Sequence, residues 1–100
     1  MENKIYFTIA GMNHYYGQTF LQPGMTVDLI KEPENKNDPE AIRVEMEGLG
    51  KVGYVANSVH TVIGASHSAG RLYDKISDTA CGTILYVLPN GVLCRLNEEN

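Results

Sequence analysis

The stretch Lys31–Val44 reads Lys-Glu-Pro-Glu-Asn-Lys-Asn-Asp-Pro-Glu-Ala-Ile-Arg-Val and separates two apolar runs. Pro33 and Pro39 fix φ, lack N–H groups and disfavour a helical conformation at the preceding residue, which excludes a helix here. The two asparagines and the aspartate between the prolines can accept hydrogen bonds from nearby backbone N–H groups. The stretch therefore predicts a tight loop between two strands, held together by its own side chains. Loops of this kind are common places for binding sites.

Strands are predicted on both sides of this central loop. Apolar and polar residues alternate at period two before and after it, and four other short runs are rich in β-branched or aromatic residues. We predict six strands, at 4–10, 25–31, 41–47, 51–55, 79–88 and 92–96. Many short strands with short connections favour a small barrel or sandwich.

The connection between the last two strands contains Asn90-Gly91, the strongest short signal for a hairpin turn. A two-residue turn there pairs Val87 with Cys94 and leaves Cys81 beyond the end of the partner strand. We therefore expect two reduced cysteines rather than a disulfide.

One helix is predicted after the fourth strand. Asn57 is a good N-cap, the apolar residues within 59–63 fall on one helical face, and Gly70 suits the position just after a helix. The following residues, 71–75, fit either a helical turn or a strand. Residues 97–100 are expected to form a frayed tail.

Length and composition limit the function. One hundred residues are enough for one domain, spanning 1–100 with an ordered core of about 4–96. A net charge of −4, with no two basic residues adjacent, argues against a protein that coats duplex DNA. There is no apolar run long enough to span a membrane and no signal peptide at the N-terminus, so we expect a cytoplasmic protein.

The motifs of the common hydrolases, metalloproteases and P-loop proteins do not occur in the sequence. His14 and Asp38 form a conceivable acid–base pair but lack a third partner. The three histidines have no metal-ligand spacing with the cysteines. We therefore expect no enzymatic activity, no cofactor and no metal site.

Three predicted loops carry aromatic and polar residues together, a combination that suits nucleotides. A tyrosine ring stacks on a base, Asn and Asp reach base edges or sugar hydroxyls, and Lys holds phosphate. The candidate DNA-binding residues are His14, Tyr15, Asn35, Lys36, Asn37, Asp38, Tyr54 and Asn57. Asp38 has two interpretations, since such an aspartate can accept from a terminal 3′-hydroxyl or only cap backbone N–H groups.

The central motif Glu-Pro-x-Asn-x-x-Asp-x-x-Ala-Ile-x-Val, together with segments 9–17 and 49–55, resembles the HIRAN domain in order and spacing. The resemblance runs from about Lys4 to about Leu96 and is closest to a stand-alone bacterial-type HIRAN protein. It implies a mainly β fold, a small six-stranded barrel related to the OB-fold with one or two short helices. It also implies binding of the 3′-hydroxyl end of single-stranded DNA, as in HIRAN domains of fork-remodelling helicases, and hence a link to DNA repair.

The resemblance carries over to particular positions. Asn35 and Asp38 match the polar pair of the family's central loop. Tyr15 matches an aromatic residue of the first turn, and Tyr54 lies at the aromatic position after the second glycine of segment 49–55. Lys36 and Asn57 are neighbours by loop position only. The DNA-gripping members tend to have Arg before the first-turn aromatics, and often an aromatic residue where this chain has Asn37.

We therefore expect a non-catalytic module that binds a single-stranded DNA 3′ end, with a DNA-processing protein as a further candidate partner. The main alternative is a protein-interaction or structural barrel that has lost DNA binding. A third alternative is a protein that binds small nucleotides or metabolites through the same three loops at the end of the barrel.

Overall fold

Six antiparallel strands form a closed barrel in the computed structural model, which describes residues 4–97. The strands are β1 (Tyr6–Ala10), β2 (Thr26–Glu32), β3 (Ala41–Met46), β4 (Gly50–Val55), β5 (Thr79–Leu88) and β6 (Gly91–Leu96). A short 3₁₀ helix (Met12–His14) follows β1, and one α-helix, α1 (Ala69–Tyr73), precedes β5. The barrel order is β1-β4-β3-β2-β5-β6. The prediction of a mainly β, six-stranded barrel with a short helix is confirmed.

The core lies inside the barrel because each strand turns alternate apolar side chains inward. The largest of these fully buried residues are Phe7, Ile9, Val27, Leu29, Ile42, Val44, Val52, Ile84 and Val92. Burying each such side chain stabilises the fold by roughly 1.5–3 kcal/mol. Leu72 of α1 is fully buried in the same cluster, so the helix is anchored to the core.

Gly82 gives the Phe7 ring its space within this core. A Cβ built at Gly82 would lie 2.6 Å from Phe7 Cζ and 3.1 Å from the Arg95 carbonyl oxygen. Any side chain at this position of β5 would therefore displace the largest apolar residue of the core.

The hairpin between β5 and β6 differs from the prediction. Leu88 pairs with Gly91, so the turn residues are Pro89 and Asn90, and Val87 faces Val92 rather than Cys94. Gly91 is buried at the start of β6, where a Cβ would lie 3.1 Å from Thr8 Cγ2 of β1. Close packing against β1, rather than the preference of Asn-Gly for a turn, therefore sets the register.

A β-bulge then shifts this pairing. The register changes between Ile84 and Tyr86, and Ile84 faces Cys94. Cys94 is buried and Cys81 is exposed, and both are free thiols. Burial raises the pKa of the Cys94 thiol to about 12, which keeps it protonated and unreactive.

The predicted helix after Asn57 is wrong. Turns and bends occupy most of residues 57–68, and α1 begins only after Ser68, whose hydroxyl accepts from the Arg71 N–H as an N-cap. Gly70, expected to follow a helix, lies inside α1. Val59, expected on the buried stripe, is 91% exposed.

Hydrogen bonds to β1 explain why residues 57–68 do not form a helix. The Ser66 hydroxyl pairs with Thr8 Oγ1 at 2.9 Å, and both residues are buried. The Ile63 N–H donates to the same Thr8 hydroxyl, and the His67 N–H donates to the Tyr6 carbonyl. Helix propensity is a weak preference, and this pairing along β1 overrides it.

The fold brings two connections, the first turn after β1 and the central loop before β3, to one region around Tyr54. Tyr54 of β4 pairs with Ala10 at the end of β1 and with Arg43 of β3. The first turn and the central loop therefore lie beside the end of β4. Among residues 4–97 there is no helix long and apolar enough to cross a membrane. Most of the tail that was predicted to fray, at positions 98–100, lies outside the described residues.

Candidate functional site

The central loop is held by the side chain of Asn35. Its Oδ1 accepts from the Asn37 N–H at 2.8 Å and from the Asp38 N–H at 3.1 Å, while its Nδ2 donates to Glu32 Oε1 at 2.9 Å. Asp38 Oδ1 accepts from the Glu40 N–H at 2.9 Å. The loop between the two prolines is thus self-bonded, as its composition predicts, and Asp38 does cap a backbone N–H.

Asn57 connects this loop to α1. Its Nδ2 donates to Asp38 Oδ2 at 2.8 Å, and its Oδ1 accepts from the Gly70 N–H at 2.9 Å. A Cβ at Gly70 would lie 2.9 Å from Glu40 Oε1, so glycine allows the loop to approach the helix. Each carboxylate oxygen of Asp38 accepts one of these bonds, and each retains a lone pair for a further donor.

Glu32, the last residue of β2, is the centre of a second group of contacts. Its Oε1 accepts from the Tyr54 hydroxyl at 2.9 Å as well as from Asn35. Its Oε2 lies 2.9 Å from Arg43 Nη1 and 4.0 Å from Lys51 Nζ. Lys51 Nζ donates to the Tyr54 hydroxyl at 2.9 Å, so the phenol donates to the carboxylate and accepts from the ammonium.

These contacts set the charges of the group. Burial acts to raise the pKa of Glu32, but hydrogen bonds from Asn35, Tyr54 and Arg43 outweigh it and leave the pKa lowered. Burial, together with the bond to Glu32, raises the pKa of the Tyr54 phenol. The bond to Tyr54 raises the pKa of Lys51. At neutral pH the carboxylate and the ammonium are therefore charged and the phenol is neutral.

Lys51 also connects the first turn to this group. Its Nζ lies 5.0 Å from the centroid of the Tyr54 ring and 5.6 Å from that of the Tyr15 ring. These distances are within the range of cation–π attraction. Tyr15 is 40% exposed, so part of its ring is open to a ligand beside a fixed positive charge.

Five of the eight predicted site residues thus belong to one continuous set of contacts. It runs from Tyr15 through Lys51, Tyr54, Glu32 and Asn35 to Asp38 and Asn57. The other three, His14, Lys36 and Asn37, are exposed. Within residues 4–97 their side chains form no hydrogen bond or ion pair. The roles of all eight residues in binding stay predictions.

Sequence reasoning missed Glu32, Arg43 and Lys51. Alternation alone places Arg43 and Glu32 on the outer face of neighbouring strands, so the predicted strands were sufficient to predict their ion pair. Lys51 was not, because strict alternation puts Lys51 and Tyr54 on opposite faces. A β-bulge, in which Val44 faces Gly53 and Glu45 faces Lys51, brings both to the outer face.

Comparison with known proteins extends this description. The family model for the HIRAN domain matches residues 3–92. No curated protein sequence matches the chain. The HIRAN domain of human HLTF, in a crystal structure, is similar with a TM-score of 0.60 and 17% identity, covering 94% of this chain and 74% of that one.

A crystal structure of a protein from Lactobacillus plantarum is also similar, with a TM-score of 0.57 and 23% identity. The match covers 96% of this chain and 98% of that chain. At these identities the two structures support the fold, and they do not transfer residue roles.

Proposed function

The chain belongs to the HIRAN family, and from this premise we propose that it is a non-catalytic module that binds the 3′ end of single-stranded DNA. The coarser part, a nucleic-acid-binding module, follows from family membership. The observation that supports the finer part is the continuous set of contacts from Tyr15 to Asn57. It places an aromatic face, an ammonium and a carboxylate with spare lone pairs along one outer surface.

Each group has a distinct role in this proposal. The exposed Tyr15 ring stacks on a base, an interaction worth roughly 1–3 kcal/mol that does not depend on base identity. Lys51, fixed between Tyr15 and Tyr54, binds a phosphate and replaces the cation that the first turn lacks. Asp38 accepts from the terminal 3′-hydroxyl, a donor that an internal phosphodiester does not offer.

The remaining predicted residues have supporting roles. His14 is exposed beside Tyr15 and offers a second stacking surface, and Lys36 and Asn37 stand on the exposed side of the central loop. Asn35 and Asn57 hold Asp38 in place through their hydrogen bonds. In this proposal the DNA is bound more by stacking and hydrogen bonds than by contacts between basic residues and phosphates. This agrees with a protein of net charge −4.

Direct binding tests the proposal. Fluorescence anisotropy at low salt compares a labelled single-stranded oligonucleotide with the duplex of the same sequence. We expect preference for the single strand, with affinity falling only gently with salt because the site holds about one to three phosphates. Equal binding to the duplex contradicts recognition of a single strand. No binding to either DNA contradicts the proposal and favours the protein-interaction alternative. The proposal also places the protein in the cytoplasm with a DNA-processing protein as partner. Identification of the proteins that bind it in cells tests this part.

A further inference from the structure

A second concave site lies at the other end of α1. A cavity of about 700 Å³ opens beside residues 74–77, which follow the helix, and beside the start of β1 and the end of β6. Pockets for small molecules usually measure about 300–1,000 Å³. None of the eight predicted DNA-binding residues lines this cavity. It is therefore a separate site rather than an extension of the one described above.

Positive charge is concentrated at this cavity. Lys4, Lys75 and Arg95 line it, against one acidic residue, Asp74. Among the described residues that line the cavity, the balance is +3 − 1 = +2, in a protein whose net charge is −4. The three cations come from distant parts of the sequence, so folding brings them together.

These cations have no acidic partner among the described residues. Within residues 4–97, every ion pair involves Arg43 or Lys51. Lys4, Lys75 and Arg95 thus have no carboxylate partner in the described part of the chain. Three basic side chains that form no ion pair among residues 4–97 line one concave surface, where they attract an anion and concentrate it.

Apolar side chains form another part of the lining. Ile76 is 8% exposed and belongs to the core cluster, and Ile5 and Leu96 pack against that cluster. Ser77 and Asn97 add hydrogen-bonding groups beside them. An inorganic anion would leave this apolar surface uncovered, whereas a larger ligand with a ring would cover it.

The titration of His67 supports a positive potential on this side of the molecule. Burial comes first among the causes that lower the pKa of His67, and the positive charges of Arg71 and Lys75 lower it further. Lys75 also lines the cavity, so the same charge acts on the histidine and on the proposed ligand.

We propose that this cavity binds a small phosphate-bearing molecule with an apolar ring, of the nucleoside monophosphate class. Lys4, Lys75 and Arg95 hold the phosphate, since Arg and Lys form strong charge-assisted bonds to phosphate oxygens. The ring covers Ile5, Ile76 and Leu96. The proposal does not depend on DNA binding at the other site.

An NMR titration of the full chain tests both parts of the ligand. ¹H–¹⁵N spectra are recorded with AMP, adenosine and inorganic phosphate in turn. We expect AMP to shift the amide signals of residues 75–77 and 95–97 and to saturate, with phosphate and adenosine each binding at least about tenfold more weakly. Phosphate binding as tightly as AMP overturns the role of the ring, and adenosine binding as tightly overturns the role of the charges.

The location of the shifts decides the site. Saturating shifts at residues 75–77 and 95–97 support the proposal. Shifts confined to the Tyr15 and Asp38 signals, or no shifts at all with AMP, overturn it. DNA binding at the other site is measured separately, so failure of one proposal is distinguishable from failure of the other.

Charge variants provide a second test. Lys75→Gln combined with Arg95→Gln is expected to weaken AMP binding about tenfold or more. Lys31→Gln is the matched control for one lost charge, because the Lys31 ammonium lies over the Tyr73 ring, 4.3 Å from its centroid, and does not line the cavity. If the double variant does not fold, Lys4→Gln replaces it. Equal losses in the control and the cavity variants contradict a local site.

Discussion

The central loop and the first turn contribute to the same candidate site but use their polar groups differently. In the central loop, the side chains of Asn35 and Asp38 are already bonded to the protein. At the first turn, part of the Tyr15 ring faces solvent, with Lys51 beside it. If the proposed function is correct, we expect the loop to provide rigid geometry and the first turn to provide most of the affinity for DNA.

Asn35→Ala tests the structural half of this comparison and has the largest expected effect. It removes one donor and one acceptor that together form three hydrogen bonds, so we expect a loss of about 3 kcal/mol in the free energy of unfolding. Urea denaturation measures it. Asn37→Ala is the control, since that side chain is exposed, and we expect a change within about 0.5 kcal/mol. Equal effects of the two substitutions contradict the role of Asn35.

Tyr15→Ala tests whether the first turn provides most of the affinity for DNA. Loss of one stacking ring is expected to weaken single-stranded DNA binding by about 2 kcal/mol, or roughly thirtyfold, with little change in stability. Anisotropy measures the affinity and urea denaturation the stability. Tyr86→Ala removes another ring, 61% exposed on β5 and distant in sequence from the site, and should bind as the wild type does. A loss of stability without a loss of affinity for Tyr15→Ala reverses the comparison.

Lys51→Gln tests whether the phosphate is bound beside the first turn or on the central loop. Because the proposal assigns a phosphate to Lys51, we expect about 1 kcal/mol of lost affinity and a salt dependence reduced by about 0.7 in log–log slope. Lys36→Gln, on the exposed side of the central loop, is expected to change both quantities less. A larger effect at Lys36 places the phosphate on the loop instead.

Glu32 connects the central loop to Tyr54 and Lys51, which lie beside the first turn. Its contribution to stability is measured through the pH dependence of unfolding. Its lowered pKa means that the folded state prefers the charged carboxylate, so this contribution is present above about pH 4.5 and is lost as pH falls through the folded pKa. The free energy of unfolding of the wild type should therefore fall more steeply than that of Glu32→Gln between pH 6 and pH 3. Glu47→Gln, an exposed control, should keep the wild-type slope. Parallel curves for wild type and Glu32→Gln contradict the account.

The sequence was enough for most of the barrel, because alternation at period two records which face of each strand is buried. It was not enough where distant contacts decide. The buried pair of Thr8 and Ser66 fixes residues 57–68 along β1, although Asn57 and the apolar residues after it favour a helix. Gly91 enters β6 because of its packing against Thr8, although Asn90-Gly91 favours a turn.

The site shows the same division. The bonds of Asn35, and the bond that Asp38 accepts from Glu40, are local, within three residues, and the composition of the central loop predicts them. The bond from Asn57 to Asp38 joins residues 19 apart and depends on the fold. The position of Lys51 beside Tyr54 depends on a bulge between β3 and β4, which no local pattern reveals. The contact between Lys51 and Tyr15 further depends on the short pairing of β1 with β4.

The most direct test of the proposed function is anisotropy with two labelled oligonucleotides, identical except for a free or a phosphorylated 3′ end. We expect the wild type to bind the free end about tenfold or more tightly, because Asp38 accepts from the hydroxyl and repels a phosphate. Asp38→Ala should remove this preference while Tyr15 still supports weak binding to both. Equal affinity of the wild type for the two ends, or an unchanged preference in Asp38→Ala, would contradict end recognition by this site.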